Sequence, residues 1–125
     1  ERTDSLEDFL ARKDTRLLLD VRFEEPAAGA FEAIDYPHTH EYTVLAVSGA
    51  RRADGAVRLA ATGLAGHGWR LRAAEAAASD PEAAGAAALA DARVGDDALA
   101  SAWYRERTLP GLGRRVLAKL EEVAG

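Results

Sequence analysis

The stretch EYTVLAVSGARRADGAVRLAATGLAG, residues 41–66, decides the fold of this chain. It alternates as a β-hairpin does. Tyr42, Val44 and Ala46 fall on one face of a strand, and Leu45 and Val47 on the other. Asp54-Gly55 then supplies a strong two-strand turn signal, because glycine reaches the positive φ that tight hairpin turns need. Beyond it Val57, Leu59 and Ala61 alternate with Arg58 and Thr62. Apolar residues on both faces of this strand, Leu45 and Val47 among them, call for a layer of helices covering the sheet on one side.

Upstream, GAFEAID reads as a further strand, with Pro37 at its far end. The run Leu17 to Val21 in TRLLLDVRFEEP, closed by Pro26, also suits a strand. Ahead of it DSLEDFLARK reads as a short helix, with Ser5 as N-cap and Asp8 three positions on. After Arg72 the texture changes to alanine-rich and helical. Asp80 before Pro81 is a helix start, an N-cap followed by proline in the first turn. Spaced Glu75, Glu82 and Leu89 argue for packed short helices there.

The last segment, SAWYRERTLPGLGRRVLAKL from Ser101, carries Leu109, Leu112, Val116 and Leu120 at helical spacing, with Pro110 inside the stripe. An interior proline costs roughly 3 kcal/mol, and a proline in a first turn costs little. The expectation is two helices in near-continuation, 97–107 capped by Asp96 or Asp97, and 110–124. Gly111 and Gly113 would permit close backbone approach. The fold class is α+β: a small antiparallel sheet of three to four strands against about three helices. Its parts are a lead-in helix and strand over 1–26, the sheet over 27–72 and a helical layer over 73–125, in a single domain.

The chain has 125 residues, 48% of them hydrophobic, many of these alanine, and only 6% aromatic. Trp69, Trp103 and the three phenylalanines are the bulkiest core candidates. The formal charge is −5 and the basic residues are scattered, which argues against nucleic acid as a partner. The absence of cysteine excludes disulfides and thiolate-held metal or iron–sulfur sites on this chain. No apolar run reaches the ~18 residues of a membrane span, and no signal-peptide pattern opens the chain. Cytoplasmic residence is the expectation. With no methionine and Glu1 first, these residues are expected to be a piece of a longer protein.

Three clusters are candidates for chemistry. His38 and His40 share a strand face at spacing two, a metal-binding spacing that lacks the third and fourth ligands, so the favoured reading is a polar strand entry. Gly63, Gly66 and Gly68 are not spaced as a phosphate-cradling loop and read as a strand exit with Trp69 packed over the sheet. Arg105, Arg107, Arg114 and Arg115 read as a helix surface or an interdomain salt-bridge set. No serine sits in a nucleophile-elbow setting, and no self-contained catalytic site emerges.

SAWYRERTLPGLGRRVLAKL resembles the closing pattern of one family. In the C-terminal domain of the FAD-binding subunit of molybdenum hydroxylases, the carbon monoxide dehydrogenase and xanthine dehydrogenase group, an aspartate-led segment runs into Ser-Ala-x-Tyr-Arg, then Leu-Pro, then Arg-Arg-x-Leu. Here Asp97 precedes Ser101, Ala102, Tyr104 and Arg105, followed by Leu109, Pro110, Arg114, Arg115 and Leu117. EYTVLAVSGA resembles the family's aspartate-led strand, with Glu41 in the aspartate's place. Arg72, Ala73, Glu75 and Ala76 match its Arg-Ala-x-Glu-Ala segment, and SLEDFL and TRLLLDVRFEEP resemble its lead-in.

The resemblance implies an FAD-dependent oxidoreductase subunit whose C-terminal domain braces the flavin pocket and is not catalytic by itself. It implies preceding FAD-binding domains and molybdopterin and iron–sulfur subunits as partners. It places Phe31, Tyr36 and His38 at flavin-edge positions. The family's lysine after the aromatic is absent, since Glu32 and Ala33 follow Phe31, and its arginine pair falls on Tyr36 to His38. Those departures leave a second reading, a non-catalytic protein-interaction module.

Overall fold

The computed structural model describes residues 2–12, 15–36 and 42–124. Four strands, β1 (Ala28–Asp35), β2 (Thr43–Arg51), β3 (Val57–Thr62) and β4 (Trp69–Arg70), form one antiparallel sheet in the order β1-β2-β3-β4. The helices are α1 (Leu6–Ala11), α2 (Arg72–Ala76), α3 (Pro81–Asp91) and α4 (Ala102–Ala124). This is the expected α+β class. The hairpin of the opening stretch joins β2 to β3. Gly55 holds φ +84° at its turn, and Asp54 accepts a hydrogen bond from the Ala56 N–H at 3.0 Å. Val44 to Val47 are all buried, so both faces of central β2 are covered over those four residues, while Ser48 beyond them is exposed.

α4 lies across β1 and β2. Its stripe Leu109, Leu112, Val116 and Leu120 is fully buried against Leu45, Val47 and Leu59, and each such side chain contributes about 2 kcal/mol of burial. Gly49 makes this seat. A Cβ there would collide with Val116 and Leu120. α3 then packs on α4 through Ala84, Gly85 and Ala88. A Cβ on Gly85 would stand 2.7 Å from the Pro110 carbonyl oxygen and 2.9 Å from Arg114 Cγ. Small residues are therefore the reason the two helices approach so closely.

Several local expectations hold in atomic detail. Ser5 caps α1, accepting from the Asp8 N–H at 3.1 Å, and its hydroxyl donates to Asp8 at 2.7 Å. Asp80 caps α3, accepting from the Glu82 and Ala83 N–H groups, with Pro81 in the first turn.

Other expectations fail. Leu17 to Val21 form no strand, and Leu17, Leu18, Leu19, Val21 and Phe23 are 55–86% exposed. A strand exists only by pairing, and neither sheet edge takes this segment. The 97–107 and 110–124 helices are one continuous helix that starts at Ala102 and carries Pro110 inside. Proline removes one N–H, whose acceptor would be on Glu106, an exposed residue whose carbonyl water can serve. Ser101, rather than the aspartates alone, caps this helix through the Tyr104 N–H, while Asp96 accepts from the Ala102 N–H. The core is built of leucine, valine and alanine: Trp103, Phe23 and Phe31 are exposed, and Trp69 and Phe9 only partly buried. Leu89 also points to solvent, because α3 buries its alanine side.

Candidate functional site

Of the three residues that the sequence resemblance puts at flavin-edge positions, Phe31 lies in mid-β1 opposite Ser48. Its neighbour Glu32 reaches Arg115 and Lys119 on α4, so Phe31 projects from the opposite, open face of the sheet, 57% exposed. Tyr36 follows β1, donates its N–H to the Tyr42 carbonyl at 2.8 Å, and is 42% exposed. His38 lies outside the described residues, as do His40 and Glu41.

The other sequence clusters resolve into structure. Gly63, at φ +76°, passes so close to the Val44 carbonyl that a Cβ would collide with it, so this glycine serves the strand exit. The exit loop is closed by Trp69, whose Nε1–H donates to the Ala65 carbonyl at 2.7 Å. His67 stacks on the Trp69 ring with centroids 4.6 Å apart, which gives it a packing role. Among the described residues no group of three or more His, Cys, Asp or Glu is placed to hold a metal ion. None of their helices is long and apolar enough to cross a membrane.

Two residues of the quoted motifs prove to be internal clamps. Arg105 is 1% exposed. It donates to the Gly95 carbonyl at 2.7 Å and to Asp97 at 2.6 Å, tying the loop before α4 to the helix. Asp97 also accepts from the Leu99 and Ala100 N–H groups. The Arg105 guanidinium foremost, with those two N–H groups, holds the Asp97 carboxyl at about 2. Glu75 accepts from the Leu59 N–H at 3.0 Å and from Arg70 at 2.7 and 2.8 Å, joining α2 to β3 and β4. Burial works to raise its pKa, and the hydrogen bonds from Arg70 and Leu59 outweigh burial, so it stays below the usual carboxylate value. The sequence grouped Arg105 with Arg107, Arg114 and Arg115; the structure separates it from them, since only the other three reach the surface groove.

That groove, about 540 Å³, runs along α4 between the end of β1 and the first turn of α3. Gly111 and Ala118 line it beside Thr108 and Ile34, with Arg107, Arg114, Arg115 and Glu82 as its charged groups. Sequence reasoning found the arginines but not the groove. The helical spacing of Arg107, Gly111, Arg114, Arg115 and Ala118 carried the signal, since these positions share one side of a helix.

No family model matches the sequence, and no curated protein does. Among the solved structures that share its fold are two that cover most of this chain. One is the carbon monoxide dehydrogenase of Hydrogenophaga pseudoflava, in a form lacking the Mo-pyranopterin moiety of the molybdenum cofactor. It superposes at TM-score 0.67 and 23% identity over 78% of this chain and 37% of its own. The other is quinoline 2-oxidoreductase of Pseudomonas putida 86, at TM-score 0.62 and 17% identity over 78% of this chain and 38% of its own. The chain thus spans less than two fifths of the length of the solved chains it resembles. What it shares with them is the architecture of four antiparallel strands under a helical layer, and it is in fold a carbon monoxide dehydrogenase-like domain.

Proposed function

We propose that this chain is the C-terminal domain of an FAD-binding oxidoreductase subunit of a molybdopterin-dependent dehydrogenase, where it braces the flavin pocket and subunit contacts. The observation that carries the reading is the coincidence of that fold with the Asp97-to-Leu117 motif. The motif's residues do architectural work. Asp97 and Arg105 clamp the loop, and Pro110 marks the crossing with Gly85.

On this reading the described residues supply part of the flavin site and other domains the rest. A ligand pocket buries most of its ligand, whereas Phe31 and Tyr36 stand on open surface and Glu32 is engaged by α4. They can offer at most one wall, the others coming from preceding FAD-binding domains. Molybdopterin and iron–sulfur subunits would then be the redox partners, in the cytoplasm. Protein redox chemistry of this kind belongs to the cofactor, and the polypeptide positions it.

The test is the intact mass and visible absorbance of the native gene product. A mass well above 13.3 kDa together with stoichiometric flavin is the expected result. A colourless protein with a stable partner would overturn the reading in favour of an interaction module.

A further inference from the structure

We infer that the α4 groove is a docking site for an acidic, extended polypeptide segment of a partner protein. The inference is independent of the flavin reading. Three arginines and one glutamate line the groove, a net positive channel on a chain of net charge −5. Arg107 has no carboxylate partner among the described residues; its guanidinium lies 4.8 Å from the ring centroid of Trp103, which is 62% exposed. An exposed tryptophan carrying an arginine is the composition of interface hot spots.

Of the other two cations, Arg114 is held weakly. Arg114 pairs with the exposed Glu82, whereas Arg115, itself exposed, pairs at 3.4 Å with Glu32, which is mostly buried and also holds Lys119. An exposed pair such as Arg114–Glu82 contributes little to stability. An incoming carboxylate can therefore replace Glu82 at little cost.

The groove's length favours a chain over a small anion. From Arg107 to Ala118 α4 rises ~16 Å, which an extended segment of about five residues would follow. Gly111 leaves the floor open, since a Cβ there would meet nothing nearer than Arg114 at 4.0 Å. Ile34 adds an apolar wall. Strand addition to β1 is disfavoured by the register shift at Ile34/Asp35 and by Glu32 turned inward. Side-chain charge is thus the mode of recognition.

The test is fluorescence anisotropy of a labelled glutamate-rich peptide with the full gene product. Saturable binding that weakens with added salt is expected. The exposed double variant Arg107→Glu/Arg115→Glu should lose tenfold or more in affinity, and Trp103→Ala severalfold. Glu82→Gln should bind more tightly by freeing Arg114, and Arg22→Glu, outside the groove, should bind as the parent does. Thermal melts of each variant establish that it is folded. The inference is overturned by no saturable binding at low salt or by equal binding of the double variant. It is also overturned if inorganic phosphate or a single-stranded oligonucleotide displaces the peptide at a lower concentration than unlabelled peptide does.

Discussion

Replacing Gly85 with alanine should drive two helices apart. In an exposed helix interior the same change stabilises by about 1 kcal/mol, since alanine is the better helix former. At Gly85 the new Cβ would stand 2.7 Å from the Pro110 carbonyl oxygen. Carbon and oxygen in contact settle at about 3.3 Å or more, so α3 must move off α4 by ~0.6 Å. The obstacle is backbone, which no rotamer change relieves, and Ala84 and Ala88 would loosen with the same movement. Overpacking of this kind costs about 1–3 kcal/mol. Net of the propensity gain, the variant should lose about 1 kcal/mol. Gly111→Ala is the matched control, because its Cβ faces the open groove. It should gain up to about 1 kcal/mol. Urea unfolding followed by circular dichroism separates the two by roughly 1 M in midpoint for an ordinary slope. A Gly85→Ala protein as stable as Gly111→Ala would refute the close-approach account of the α3–α4 crossing.

Gly49→Ala should destabilise by about 1–3 kcal/mol, because the added methyl meets branched Val116 and Leu120 at the seat of α4; equilibrium unfolding checks it. Arg105→Ala should cost about 2–4 kcal/mol through the cavity and lost hydrogen bonds it leaves, with early hydrogen exchange at Leu99 and Ala100 as the local readout. The Asp97 carboxyl, held at about 2 against its ordinary 3.8, contributes stability that is present above 3.8 and is lost as pH falls through about 2. An acid titration of unfolding should therefore fall less steeply for Asp97→Asn across that window. Deleting residues 1–26 should leave the melting temperature nearly unchanged, since no described residue among them is buried; a large drop in a thermal melt would contradict the exposure of Leu17 to Phe23.

Nearest-neighbour chemistry was enough to determine some elements. The Asp54-Gly55 turn, the Ser5 and Asp80 caps and the Leu109–Leu120 stripe each rest on a few residues adjacent in sequence or one helical turn apart. Such signals survive into the fold because their physics is local. The remainder needed distant partners. Leu17 to Val21 have the composition of a strand and no edge to pair with. Pro110 argues for a break on local cost alone, yet the burial of Leu109, Leu112 and Val116 outweighs one missing hydrogen bond and keeps the helix whole. Alanines all round α3 hid its buried side, which only the crossing at Gly85 reveals. Arg105 and Arg107 sit two residues apart, one sealed in the loop clamp and one on the groove, because successive helical positions diverge around the axis and only packing says which side is inside.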